Sequence, residues 1–419
     1  MSRVALVSSE PIRERMAGIG IRYLEMARRL PAAGIEVLLL SPAAPAEAVA
    51  LGLDPSNVRQ LERGALLRQV AGCDAIVAQG QWANDVVLEV PGLPVAIDLY
   101  DPWLVENLHY AETLGLDPYR NDHASWVLQM TRGDFFLCSS EEQRQFYLGF
   151  LAAVGRVNPM RVEADPGLRS LIDAVPFGVP AVLAEHRPWL PARAVGERRL
   201  LFGGLYDWYD PWTLLSALES SNRPNWSVLF IRNPNAESTP QRLLGEVESW
   251  SRARGWWGSR VQALDWVPSE RRYDLLRDVD LLVALHHPSL ETQLSLRTRF
   301  LDAFAAACSV VVSEGGAVSR LVREHGAGWV VPAEDPPALA AALEQALGDD
   351  SERARRRIAG KALAESFTWD RALAPLVEFC RAPQQDPFKE SFAHRVSTMA
   401  PDDPALFRLR RWWRRRSRW

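Results

Sequence analysis

Two carboxylates and two guanidiniums are interleaved in the stretch Glu291-Thr-Gln-Leu-Ser-Leu-Arg297-Thr-Arg299-Phe-Leu-Asp302. Arginine grips phosphate oxygens through charge-assisted hydrogen bonds. The periodicity predicts a helix over 297–307, and two cations at a helix start oppose its dipole, so a bound anion would explain them. Asp302 falls inside the apolar series Phe300, Leu301, Phe304. An ionised carboxylate there needs a partner. Three glycine pairs, Gly18-Ile-Gly20, Gly203-Gly204 and Gly315-Gly316, each stand between an expected strand and an expected helix. Glycine lets the backbone approach a phosphate closely, and the same pattern also suits a plain tight turn. Asp98 and Asp101 lie at the carboxyl end of an expected strand, Val95–Asp98, where open α/β sheets place ligands. Either suits an acceptor hydroxyl or a base role, and Asp101 equally suits capping a turn at Pro102. His286 and His287 lack metal-ligand spacing and read as structural. Trp208, Tyr209 and Trp212 suit either stacking on a ligand or packing.

The elements that must position these residues come in two series. Val4–Ser8, Glu36–Leu40, Ala75–Ala78, Val95–Asp98 and Phe135–Cys138 are short apolar runs suited to buried parallel strands. Helices are expected between them, one from Gly18 to a C-cap at Gly34 and one from Glu141 to Val154. Ser140 is the expected N-cap of the latter, with Gln143 as its capping-box partner. A second series begins at Arg199–Phe202 and continues through Ser227–Ile231, Val261–Ala263, Leu281–Leu285, Val310–Val312 and Trp329–Pro332. The expectation is an α/β protein with two Rossmann-like domains facing a cleft. Their bounds are 1–180 for the first domain, 181–198 for a linker, 199–366 for the second domain and 367–381 for a returning helix. A polar segment and tail fill 382–419.

Composition narrows the function classes. The chain has 419 residues, 47% hydrophobic and 24% charged, enough for ordinary globular cores. Residues 407–419 carry seven arginines and no acid, so the remainder holds 41 basic against 52 acidic groups. That acidic body argues against nucleic acid as a partner. The four cysteines are far apart and read as reduced, buried thiols. Lysine occurs only at Lys361 and Lys389, against 46 arginines, so phosphate must be met by arginine or by backbone N–H groups. No signal-like or membrane-spanning run is visible, and a cytoplasmic protein is expected. The Arg- and Trp-rich 407–419 segment suits the anionic inner face of the plasma membrane. A dinucleotide oxidoreductase is disfavoured, because no GxGxxG follows the first strand with an acid about 20 residues on.

Over about residues 1–381 the chain resembles the retaining, family-4-like glycosyltransferases of the GT-B superfamily. The resemblance rests on Gly18-Ile-Gly20, Val175-Pro-Phe-Gly178, Gly203-Gly204, Pro288-Ser-Leu-Glu291, Leu301–Ala306, Ser313-Glu-Gly-Gly316, Gly328–Pro332 and Phe367-Thr-Trp369, in that order. It implies a nucleotide-sugar donor held mainly by the second domain, a saccharide or lipid-linked acceptor, and no required metal or cofactor. It implies that Glu291 meets the donor sugar's hydroxyls, that Asp302 meets the ribose, and that the glycine turns lie near phosphate. A role in bacterial surface polysaccharide synthesis follows as an expectation. Three departures stand out. Ten residues, not seven, separate the two acids. The turn after Arg199–Phe202 carries no cation, which assigns the diphosphate to Arg297 or Arg299. No histidine takes the family's place in the first domain's cleft, where Tyr100-Asp101 falls instead. The altered spacing also fits a non-catalytic subunit that binds glycan or a partner transferase.

Overall fold

The computed structural model describes residues 1–111, 115–233 and 242–389. The 407–419 segment therefore lies outside the described residues.

The first seven strands are β1 (Arg3–Val7), β2 (Glu36–Ser41), β3 (Val58–Gln60), β4 (Ala75–Gln79), β5 (Val95–Asp98), β6 (Phe135–Cys138) and β7 (Ile172–Ala174). They form one sheet in the order β3-β2-β1-β4-β5-β6-β7. Every pairing in it is parallel. The next six are β8 (Arg198–Gly204), β9 (Trp226–Ile231), β10 (Val261–Leu264), β11 (Leu281–Ala284), β12 (Ser309–Ser313) and β13 (Gly328–Val331). They form a second parallel sheet, β10-β9-β8-β11-β12-β13. Central strands are buried on both faces, so they read as continuous apolar runs; β1, for example, is buried from Val4 to Val7. In both sheets the order reverses beside the first strand, and ligands gather beyond the carboxyl ends at such switch points.

Two strands, β3 and β7, were not among the expected elements. Both are three-residue edge strands carrying polar residues, Arg59 and Gln60 in one and Asp173 in the other. The first helix ends at Arg29, because Pro31 opens a short 3₁₀ turn that Gly34, at φ 82°, then caps. Ser140 caps the Glu141–Ala153 helix by accepting from the Gln143 N–H at 3.2 Å. The Gln143 side chain is used elsewhere. It accepts from Ser139 N–H and donates to the Tyr100 carbonyl, tying this helix start to the end of β5. The expected 297–307 helix is shorter, Thr298–Ala305, and a separate turn of helix, Leu290–Leu294, precedes it.

The chain returns to the first domain after residue 366. Val179 N–H donates to the Phe367 carbonyl, and Trp369 N–H donates to the Val179 carbonyl. Gly178 is obligatory at this crossing, since a Cβ there would lie 2.4 Å from the Trp369 ring. The Ala374–Arg381 helix stacks Phe379 on Phe135 at 5.3 Å between centroids. Asp386 then buries its carboxylate between Arg156 and Arg161, and Lys389 pairs with Asp134 at 2.7 Å.

Candidate functional site

The two sheets point their carboxyl ends at one another, and a cavity of about 490 Å³ lies between them. Ser9, Glu10, Gln79 and Asp101 line it from the ends of β1, β4 and β5, and Gly203, Gly204, Ile231 and Asn233 from the ends of β8 and β9. The walls touch. Tyr100 donates its hydroxyl to the Leu296 carbonyl at 2.6 Å, and Trp266 donates its indole N–H to the Met16 carbonyl at 3.2 Å. Ser269 N–H reaches the Glu14 carbonyl at 3.1 Å. Gly18 opens room for this closure, because a Cβ there would come within 3.1 Å of Thr298 Cγ2.

On the second-domain wall, Glu291 is 1% exposed and accepts a hydrogen bond from Arg297 Nη2 at 2.5 Å. Arg297 is the N-cap residue of the Thr298–Ala305 helix. Its charge is compensated by that carboxylate. Arg299 is held differently. Its Nη1 donates to the Phe202 carbonyl and its Nη2 to the Tyr209 hydroxyl, both at 2.9 Å. Those partners are neutral, so among the described residues Arg299 brings to the cavity a positive charge that no carboxylate pairs. The two guanidiniums lie over the Tyr209 ring, at 5.1 and 4.8 Å from its centroid. Gly203 accommodates Arg299: its φ is +88°, and a Cβ would sit 2.9 Å from Arg299 Nη1. The glycine thus makes room for a cation at a bulge between β8 and β9.

Asp302 is buried and pairs with Arg272 Nε at 3.1 Å. Arg272 also donates to the Tyr273 hydroxyl at 2.6 Å. Burial raises the Asp302 pKa, and Arg272 opposes that rise.

On the first-domain wall, Glu10 accepts from the backbone N–H groups of Ala17 and Gly20, the latter at 2.7 Å. A carboxylate of the chain itself therefore occupies the start of the Gly18–Arg29 helix, where the sequence suggested a phosphate. Asp98 is structural: it is 1% exposed and takes Arg22 Nε at 2.8 Å and Nη2 at 3.2 Å. Asp101 opens onto the cavity and its pKa is raised to about 7, first by burial, then by the charges of Asp98 and Glu10. Glu106, one helical turn on, is raised well above its ordinary value by burial and then by Asp101 and Glu291.

The cavity thus brings together Gly18, Asp101, Gly203, Gly204, Glu291, Arg297, Arg299 and Asp302. Gly20, Gly315 and Gly316 are not among its lining residues. Gly20 packs on Met16, which a Cβ would meet at 2.9 Å. Gly315 and Gly316 seat the Leu290–Leu294 helix, and a Cβ on Gly316 would lie 2.1 Å from the Thr292 carbonyl at a φ of +80°. Gly316→Ala is expected to destabilise the protein by about 2–4 kcal/mol through clash and backbone strain. Gly245→Ala, in a helix with nothing near its Cβ, is expected to stabilise by about 0.5–1 kcal/mol. Urea denaturation of the two variants measures both.

Trp208 and Tyr209 line the cavity, whereas Trp212 packs on Trp250. His287 pairs with Glu334 at 2.7 Å, and His286 is buried with its ring edge-on to Tyr209. Among the described residues no three His, Cys, Asp or Glu side chains are grouped as a metal site, and no helix is long and apolar enough to cross a membrane. The four cysteines are free and buried. Sequence reading missed Glu10, Glu106 and Arg272. Glu10 follows β1 directly, so its place at a strand's carboxyl end was the available signal. The other two are brought in by tertiary contacts.

The raised Asp101 pKa has a stability consequence. Between about pH 4 and 7 the folded protein holds a proton that the unfolded chain has released, so this group's effect on stability worsens as pH rises. The groups setting it are Asp98, Glu10, Arg22 and Glu291. Asp101→Asn is expected to be more stable than wild type at pH 8, by on the order of 1 kcal/mol, and equal to it near pH 4. Thermal melts at the two pH values test this.

Comparison with known proteins gives three results. No curated protein sequence matches the chain. Residues 215–349 match the family model described as Glycosyl transferases group 1. Among solved structures, the sucrose-phosphate synthase of Thermosynechococcus elongatus is 14% identical, with a TM-score of 0.64 over 91% of this chain and 98% of that one. HepE of Anabaena, solved in complex with UDP-glucose, is 15% identical, with a TM-score of 0.64 over 91% of this chain and 100% of that one. A glycosyltransferase from Rickettsia africae is 12% identical, with a TM-score of 0.61 over 91% and 98%. At these identities the likeness is one of fold, two Rossmann-like domains in the GT-B arrangement.

Proposed function

We propose that this chain, whose residues 215–349 match the model of the group 1 glycosyl transferases, moves a sugar from a nucleotide-sugar donor to a saccharide or lipid-linked glycan acceptor. The observation that carries this reading is Arg299, a cation held among the described residues by neutral groups, facing an interdomain cavity at the sheets' switch points. The complex of HepE with UDP-glucose supports a nucleotide sugar as donor. In the reaction the bond from the anomeric carbon to the diphosphate oxygen breaks and a bond to the acceptor oxygen forms. Charge grows on the leaving diphosphate, and a preorganised guanidinium stabilises it most at that point. Arg299 takes this role, with Arg297 beside it. Glu291 meets the sugar and Asp302 the ribose. The acceptor's proton passes to the leaving diphosphate, with retention of configuration, and Asp101 holds the acceptor. No resident metal is needed. The Arg- and Trp-rich 407–419 segment supports a site of action at an anionic membrane face, in the assembly of a bacterial surface polysaccharide.

A second reading, a non-catalytic glycan- or partner-binding subunit, is favoured by one observation: the Glu291 carboxylate is buried and already neutralised by Arg297. A thermal-shift screen of nucleoside diphosphates and nucleotide sugars, followed by donor-hydrolysis assays with EDTA, separates the two. A diphosphate-dependent rise in Tm with chelator-resistant hydrolysis is expected. Binding without any turnover would support the second reading, and an NMR assignment of the product's anomeric configuration tests retention.

A further inference from the structure

The acceptor-side wall of the cavity is unusually acidic. Glu10, Asp101 and Glu106 line it, with Glu291 opposite. Glu10 is occupied by the helix start at Ala17 and Gly20. The carboxylates of Asp101 and Glu106 have neither hydrogen bond nor ion pair to any described residue. The nearest cations are spent elsewhere, Arg22 on Asp98 and Arg297 on Glu291. Their electrostatic surroundings agree, since burial first, and then acidic neighbours, disfavour the ionised form of each. An independent observation points to a ligand here. The Trp208 indole Nε1 and the Ser295 hydroxyl both belong to cavity-lining residues, are more than nine-tenths buried, and have no partner among the described residues. Trp208 lies beside the same short segment, 5.8 Å from His109 and 6.3 Å from Tyr110 between ring centroids. Buried polar atoms without partners are costly, and a bound polar group relieves them.

We propose that the acceptor is an amine-bearing sugar or cyclitol, whose ammonium group is held between Asp101 and Glu106 while Trp208 and Ser295 bond its hydroxyls. This rests on the transferase reading and specifies its acceptor class. An ammonium supplies the missing countercharge that lets the two groups ionise side by side, and it donates three hydrogen bonds. A neutral sugar supplies no such charge.

The test is calorimetric titration of the protein, saturated with nucleoside diphosphate, with 2-amino-2-deoxyglucose, its N-acetylated form and glucose. The amine is expected to bind about tenfold or more tighter than either neutral sugar. Asp101→Asn and Glu106→Gln are each expected to erase most of that preference while leaving diphosphate binding unchanged. Equal affinity for the three sugars, or no binding of any of them, overturns the proposal. So does a preference that survives the Asp101→Asn/Glu106→Gln double variant. Absence of diphosphate binding in the first step would instead overturn the transferase reading, so the two failures are distinguishable.

Discussion

Arg299→Ala is expected to lower kcat/KM by about 10²–10³, the usual loss when one preorganised donor to developing charge is removed. The fold is expected to survive. The groups it would release, the Phe202 carbonyl and the Tyr209 hydroxyl, are neutral, and Tyr209 lines the cavity, from which water can enter the space the guanidinium leaves. Arg299→Lys is expected to rescue little. A lysine ammonium is a point charge and cannot span the carbonyl and the hydroxyl in one plane as the guanidinium fork does. Gly203→Ala is expected to reproduce part of the loss, because the added methyl would displace the same guanidinium from 2.9 Å away. Steady-state kinetics, with diphosphate affinity by calorimetry, is the measurement. Full activity in Arg299→Ala would remove the central cation from the proposed chemistry.

The second large effect concerns the buried pair. Arg297→Met leaves the Glu291 carboxylate, 1% exposed, without its cation. Removing one partner of a buried ion pair costs about 3–5 kcal/mol, most of it the penalty of the stranded charge. The double variant Arg297→Met/Glu291→Gln removes both charges and is expected to recover most of that stability. It is not expected to recover activity, because Glu291 and Arg297 both face the cavity. Denaturant melts of the two variants, read beside their turnover, separate the pair's contribution to folding from its contribution to chemistry. A single variant as stable as wild type would show that Glu291 is solvated or protonated there.

Much of the architecture was legible because parallel strands covered on both faces must be apolar throughout. Val4–Val7, Val95–Asp98 and Val310–Val312 announce themselves for that reason. The edge strands Val58–Gln60 and Ile172–Ala174 did not, since an edge tolerates polar residues and three positions carry no period. The site was legible where local sequence broke a rule. Two arginines at a helix start and an acid in an apolar series required explanation, and Arg297, Arg299 and Asp302 do line the cavity. Their division of labour was not legible. Which arginine is neutralised depends on Glu291, and which is free of acid depends on Phe202 and Tyr209, far away in sequence. The Asp101 environment has the same origin, because its neighbours Glu10 and Glu291 come from opposite walls. Gly315 and Gly316 show the converse: the glycines were visible, yet what approaches them is Thr292, its side chain at Gly315 and its backbone at Gly316.

The docking of Asp386 and Lys389 onto Arg156, Arg161 and Asp134 makes the second domain, in connectivity, an insert within the first. A gene cut after residue 197 would yield a fragment missing its own closing helix and clasp. Supplying 367–389 in trans, or fusing it behind Gly178 with a short spacer, is the way to obtain the acceptor half as a free-standing body. With two polypeptide crossings side by side, at Val179 and Thr368, the halves are also restricted to swinging like a door on paired hinges rather than spinning about a single tether.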